Sequence, residues 1–274
     1  MYALFYSKII FTFGECNMTY DYDNFIDEVY KLTQIDLSMY KQNQMKRRID
    51  ALISRHKIEG YEQYVQKLNN DKALLEEFVE YITINVSEFY RNPEQWEYLT
   101  NSCFPDLIKN FGKNLKIWSA ACSTGDEPYS LVMALSKYVP LNQIKIIATD
   151  ISDEIIEKAK IGIYSEKSVL NVPDEYKNQF FTRNGKYYQI SDEIKKCVEF
   201  RKHNLLKDKF LDSCNLIVCR NVLIYFTEDA KNAIFKKFYD SLNEKGVLFI
   251  GSTEQIINYK NIGFSRKSNF FYEK

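Results

Sequence analysis

The sequence predicts an α/β protein: a parallel sheet with helices on both faces, preceded by a small all-helical domain and carrying a short antiparallel insert. Three observations predict it. Residues 20–82 place apolar side chains at helical spacing with no strand-like alternation. From residue 115 short apolar runs alternate with helical segments, the pattern of strands buried on both faces. Residues 179–203 break that rhythm with a period of two.

Taken in chain order, residues 1–17 come first. Their opening run MYALFYSKIIFTF is apolar but has no basic leader, carries Lys8 mid-run and shows no small-residue cleavage site, so it does not read as a signal peptide. Met18 stands just before the helical pattern and is read as the biological start, with residues 1–17 an upstream extension; the intact mass of the native protein tests this. In the helical domain, residues 18–82, Phe25, Ile26, Val29 and Tyr30 share one face, as do Met45, Ile49, Leu52 and Ile53. After the turn-prone Asn69-Asn70-Asp71 the spacing repeats with Leu74, Leu75, Phe78, Tyr81 and Ile82.

The second domain, residues 83–274, begins its alternation with a strand over 115–121 (LKIWSAA) and a helix over 128–138. A strand over 143–149, a helix over 152–160, a strand over 216–219, a helix over 228–242 and strands over 247–251 and 269–273 follow. The insert reads FFTR-NG-KYYQI and then CVEFRK, a hairpin turning at Asn184-Gly185 with a further antiparallel strand.

Composition removes several function classes. The 274 residues are 45% hydrophobic and 27% charged, which excludes a disordered chain. No apolar run reaches the ~20 residues of a spanning helix. Lys+Arg and Asp+Glu both number 37, so the chain lacks the basic excess of a nucleic-acid binder. Only His56 and His203 are present, which argues against zinc sites and Ser-His-Asp chemistry. The six cysteines, at 16, 103, 122, 197, 214 and 219, form no CxxC pair and read as reduced thiols of a cytoplasmic protein.

The chemistry concentrates in WSAACSTGDEPYS, residues 118–130. Its small residues and Gly125 allow close backbone approach, and Pro128 suits a first helical turn. Asp150 ends the next strand about 25 positions after Gly125, where a nucleotide-binding α/β fold holds the ribose hydroxyls. A tight turn and an acidic strand end also occur in α/β domains that bind nothing. The GxGxxG pattern is absent, and Asp126 and Glu127 occupy the helix start where a pyrophosphate would need bare N–H groups. Carboxylates there suit a cation, and S-adenosylmethionine (SAM), with its α-ammonium and sulfonium, is such a ligand.

Five segments then carry a resemblance: TINVSEFYRNPEQW (83–96), WSAACSTGDEPYS, ATDIS (148–152), HNLL (203–206) and CRNVLIYF (219–226). In this order and spacing the chain resembles the chemotaxis-receptor glutamate methyltransferases, the CheR family, over nearly its whole length. The resemblance implies a Rossmann-like SAM-dependent methyltransferase sheet, SAM as methyl donor with S-adenosylhomocysteine as product, and no metal. It implies cofactor contacts from Asn85, Ser87 and Arg91 in NVSEFYR, where Ser87 replaces the family's threonine and Tyr90 a phenylalanine. Glu127 would take the methionine amine or a turn-side role, Asp150 the ribose, and Asn204 and Leu205 the adenine. Arg220, Asn221 and Val222 would floor the site beside the methyl, with Tyr225 near the transferred group. Asn204 also reads as a turn residue and Tyr225 as one of 21 tyrosines packing a core.

The implied reaction is esterification of receptor glutamates. A free glutamate, with a pKa of ~4.3, is ionised at neutral pH and needs no general base. Arg91 is expected to orient the acceptor carboxylate as a forked donor and Tyr225 to position it. Lys41, Arg48 and Arg55 recur every seven residues beside the Met45/Ile49/Leu52 seam. The stripe reads as a solvated face or, with the resemblance, as a surface for the acidic helical region of a chemoreceptor. The short hairpin suggests independence from a receptor tether peptide, and neither nucleic acid nor membrane insertion is expected. Methylation of another substrate on the same fold, or a SAM- or receptor-binding adaptor without turnover, are the alternatives.

Overall fold

The protein is described here by a computed structural model covering residues 21–274; the extension expected over residues 1–17 lies outside them. Four helices open the described residues: α1 (Tyr22–Thr33), α2 (Gln42–Arg55), α3 (Gly60–Asn70) and α4 (Lys72–Thr83). Local chemistry sets their limits. Asp21 caps α1 by accepting from the Asp23 and Asn24 amides at 3.1 and 3.0 Å, and Asp71 caps α4 through the Leu74 amide. Most of the faces read from the sequence are buried, with Phe25, Val29, Ile49, Leu52 and Phe78 fully inside. Tyr30, placed on the α1 face, is exposed because it lies past the side of the helix that meets the core.

Helices α5 (Pro93–Tyr98) and α6 (Phe104–Phe111) lead into the second domain. There β1 (Ile117–Ala120), α7 (Asp126–Ser136), β2 (Ile146–Asp150), α8 (Asp153–Ile161) and β3 (Ile163–Ser165) follow in order. Next come α9 (Asp174–Phe180), β4 (Phe181–Asn184), β5 (Tyr187–Ile190), α10 (Asp192–Lys195) and β6 (Val198–Lys202). The chain closes with β7 (Cys214–Cys219), α11 (Glu228–Ser241), β8 (Leu242–Ile250), α12 (Tyr259–Ile262), β9 (Ser265–Ser268) and β10 (Phe271–Glu273).

Seven strands form one sheet in the order β6-β2-β1-β7-β8-β10-β9. The first five are parallel and β10 runs antiparallel to β8. Alternate strand residues feed two cores. Trp118, Ile217 and Leu248 pack with α11 and the helical domain, while Ile117, Leu216, Val218 and Phe249 pack with α6 and α7. The helical domain therefore shares a continuous core with one face of the sheet. Cys103, Cys122, Cys197, Cys214 and Cys219 are buried, as the packed-cysteine reading expected; Cys16 lies outside the described residues.

The insert differs from its expected form in two ways. The second antiparallel sheet is β3-β5-β4; residues 198–202, assigned to it from their alternation, instead pair in parallel with β2. An edge strand with one covered face alternates just as a hairpin strand does, so period two could not separate them. The hairpin register also lies one residue later. Asn184 pairs with Tyr187, which leaves Gly185-Lys186 as the turn. Gly185 has φ 60°, at the first central position where a type II′ turn takes glycine.

The basic stripe on α2 is not uncommitted. The Arg48 guanidinium donates to the Tyr81 carbonyl and stacks 4.5 Å from its ring. Arg55 lies 5.0 Å from the same ring and 3.6 Å from Glu77. Both serve the α2–α4 packing, while Lys46 and Arg47 are exposed. Among the described residues no helix is long and apolar enough to cross a membrane.

Candidate active site

The order of the sheet reverses between β1 and β7: the chain runs outward from β1 to β2 and β6, then returns to the other side of β1. A crevice opens at the carboxyl ends of the strands at such a switch point. It holds a cavity of about 980 Å³ when its open mouth is included. Ala121, Cys122 and Ser123 after β1, Asp150 at the end of β2, His203 to Leu205 after β6 and Arg220 to Val222 after β7 all line it. Residues 82–88 and Arg91 from the domain junction, with Tyr225 and Phe226, extend the wall. All eleven residues singled out from the sequence meet here: Asn85, Ser87, Arg91, Glu127, Asp150, Asn204, Leu205, Arg220, Asn221, Val222 and Tyr225.

The β1–α7 turn is built from unusual backbone. Ala121, Ser123 and Gly125 have φ of 65°, 49° and 89°, a strained arrangement for the first two. The small residues were expected to admit a ligand, but at Gly125 the constraint comes from the protein itself. A Cβ there would stand 3.0–3.2 Å from Ala159, Tyr129 and Tyr164. Asp126 is buried, accepts from the Thr124 hydroxyl at 2.6 Å, and is not among the residues lining the cavity. Burial pushes its carboxyl up to about 6. Of the two carboxylates at the helix start, only Glu127 faces the cavity.

Glu127 accepts from Ser119 Oγ at 2.8 Å, and Arg220 stands 4.0 Å away. Burial pushes its carboxyl up to about 7, with Arg220 and Ser119 opposing the rise. Its nearest cation is too distant and too occupied to neutralise it. The Arg220 guanidinium donates to the Arg91 carbonyl (2.6 Å), Asn92 Oδ1 (3.1 Å) and Gln95 Oε1 (2.9 Å), and lies 4.7 Å from the Phe249 ring. Arg220, expected on the floor beside a methyl donor, thus pins the 91–95 segment. Arg91 itself donates from Nη1 to the Val86 carbonyl at 3.2 Å.

Asp150 accepts from the Ser123 amide at 2.9 Å and the Ser152 amide at 3.2 Å, one on each oxygen. Burial raises its pKa while these amides oppose the rise. Each oxygen retains a lone pair. The side chain of Asn204 is engaged by its own turn, with Oδ1 accepting from the Leu206 amide at 2.9 Å and Nδ2 donating to the Gln34 carbonyl at 3.3 Å. Asn204 thus combines a turn bond and a bond to the helical domain with a place in the cavity wall.

Sequence reading missed Glu254. It is buried, and its carboxylate accepts from the amides of Asn221 (2.9 Å), Leu223 (2.8 Å) and Gly251 (2.7 Å), tying the loop after β8 to the loop after β7. Only its place shortly after a buried strand hinted at this. Ser123 and His203 also went unnoticed as lining residues. Buried polar atoms of three lining residues, Ser123 Oγ, Asn221 Oδ1 and His203 Nε2, have no hydrogen-bond partner among the described residues. Such atoms are left to be satisfied by solvent or by a ligand.

A strand-end crevice with one buried, under-neutralised carboxylate and an acid at the next strand end suits a nucleoside that carries positive charge. That defines a Rossmann-like methyltransferase site. Residues 20–83 match the all-alpha domain of CheR methyltransferase and residues 85–269 its SAM-binding domain. The chain belongs to the CheR methyltransferase family, as its motifs implied. It is 41% identical over 254 residues to the chemotaxis protein methyltransferase of Listeria innocua, covering 93% of this chain and 97% of that one. It is 33% identical to chemotaxis protein methyltransferase 2 of Vibrio cholerae, covering 92% of each. With the chemotaxis protein methyltransferase of Borreliella burgdorferi it shares 32% identity, over 86% of this chain and 88% of that one.

Proposed function

We propose that this protein transfers the methyl group of SAM to glutamate side-chain carboxylates of chemotaxis receptors, as a cytoplasmic enzyme of sensory adaptation. The observation that carries the reading is the sharing of one cavity by Glu127, Asp150, Arg91 and Tyr225. Bound there, SAM supplies a sulfonium methyl that an ionised carboxylate can accept directly. The residues present fit that ligand: Glu127 is paired with Arg220 only at 4.0 Å and can take an ammonium, Asp150 keeps lone pairs for ribose hydroxyls, and Ser123 and Asn221 offer unpaired polar atoms.

The chain's own contribution is alignment and desolvation. Arg91 aims the acceptor carboxylate with the donors that Val86 leaves free, and Arg220 fixes the Arg91 backbone beneath it. Tyr225 walls the acceptor side. No proton must be abstracted, so the transfer needs no general base. The partner is the acidic helical region of a receptor. Its attraction falls to the exposed Lys46 and Arg47 and to Lys41, since Arg48 and Arg55 are held by α4. The two-residue turn of the β4–β5 hairpin favours independence from a receptor tether peptide.

The test is transfer of labelled methyl from SAM to a receptor cytoplasmic fragment, followed by mild alkali. Label released as volatile methanol marks carboxyl esters. Alkali-stable label would keep the methyltransferase and discard the substrate class.

A further inference from the structure

The cofactor cavity has one wall that does not belong to the sheet domain. Tyr40, in the helical domain, lines it together with Asp150 and Phe226. Its position is fixed from both sides by backbone. The Met39 carbonyl accepts from the Thr227 amide at 2.9 Å and the Lys41 amide donates to the Tyr225 carbonyl at 2.8 Å, a two-sided bridge with Tyr40 opposite Phe226. The two rings meet edge to face at 4.7 Å. Asp36 stabilises the preceding 3-10 turn (Leu37–Met39) by accepting from the Ser38 amide at 3.0 Å. The side chain is 8% exposed, and among the described residues its hydroxyl has no hydrogen-bond partner. After burial, the Asp150 carboxylate is the main charge holding that hydroxyl in its protonated form, so the phenol is a donor at neutral pH.

We propose that Tyr40 is a cofactor-binding residue: its hydroxyl hydrogen-bonds the ribose that Asp150 also holds, so that the helical domain closes the nucleoside site. The inference rests on the reading of the cavity as a SAM site and adds a ligand contact from the other domain. A hydroxyl that lines the cavity and makes no hydrogen bond to the described residues is free to donate to a ribose bound between Tyr40 and Asp150. The bridge to residues 225–227 means that occupancy also tightens the junction carrying Tyr225. Nucleoside binding and the docking of the helical domain are then two aspects of one equilibrium.

S-adenosylhomocysteine and its 2′,3′-dideoxyribose analogue, titrated by calorimetry into the full-length wild type and Tyr40→Phe, test this. Phenylalanine keeps the ring against Phe226 and removes only the hydroxyl. Tyr40→Phe is expected to weaken S-adenosylhomocysteine about three- to tenfold and to leave the analogue's affinity unchanged. Equal affinity for S-adenosylhomocysteine in the two proteins overturns the proposal. So does an equal loss for both ligands, which would assign Tyr40 to packing alone. Wild type that binds neither ligand rejects the SAM reading and this inference with it. Amide hydrogen exchange in the wild type needs no variant: S-adenosylhomocysteine should slow exchange at Lys41 and Thr227 more than the analogue does, and identical protection by the two overturns the proposal.

Discussion

The helical domain and the strand-end loops of this protein are built by opposite rules. In the helical domain the left-handed residues Gln34 and Lys57 stand just past the ends of α1 and α2, and charged side chains pair at the surface or stack on Tyr81. Around the cavity, Ile84, Tyr90, Asn92, Ala121, Ser123 and Asn221 all have positive φ without being glycine. Asp126, Asp150, Arg220 and Glu254 are buried there. One region satisfies its local preferences. The other overrides them, held by packing and by buried charge networks, as expected where a site must be shaped before its ligand arrives.

The contrast is broken most severely at Arg220. Arg220→Ala removes three hydrogen bonds to the 91–95 segment and should cost about 3 kcal/mol of stability, read by denaturant unfolding, with activity lost. A surface cation should behave differently: Arg55→Ala is expected to cost less than about 1 kcal/mol. Comparable losses at the two positions would erase the distinction drawn above.

Next in size is Arg91→Ala. It should keep SAM affinity within a few-fold while turnover falls on the order of 100-fold; matched losses of binding and turnover would contradict an orienting role. Glu127 supplies a pH test. Its carboxyl titrates at about 7 in the free protein, so above that pH it is an anion and below it neutral. A cationic ligand binds the anion, and SAM affinity should therefore fall as pH drops through 7, by up to about tenfold per unit. Glu127→Gln should flatten the profile and weaken binding above pH 7; a slope that survives the substitution would assign the titration elsewhere. Smallest is the partner surface. Lys46→Glu with Arg47→Glu should slow methylation of an acidic receptor fragment several-fold at low salt, leave SAM affinity unchanged, and lose its effect at high salt.

Much of the second domain could be read from the sequence because a parallel strand between helices leaves a continuous apolar run. The runs LIVC and VLFI, read at 216–219 and 247–250, form the buried parts of β7 and β8. Of the eleven singled-out residues that line the cavity, Glu127 and Asp150 were legible from their places after the first and second strands; the other nine came from the resemblance to the CheR family. What escaped were features that depend on tertiary contact. Val198–Lys202 could not be told from a hairpin strand by alternation, since half-burial has the same period on either sheet. Glu254 stabilises three amides through a turn that leaves no pattern. The basic stripe was visible as charge, but whether Arg48 faces water or Tyr81 depends on where α4 lies.

The buried cysteines have a practical consequence. Burial pushes the Cys103 and Cys214 thiols up to about 12 and raises those of Cys122 and Cys219 well above the ordinary value. A thiol reagent needs thiolate and access, and the native fold offers these four neither. Their labelling rate therefore reports how often each part of the molecule opens. Cys122 lines the cofactor cavity and Cys103 lies outside it. A ligand that selectively slows modification of Cys122 would reveal its binding through chemistry alone, on unmodified wild-type protein.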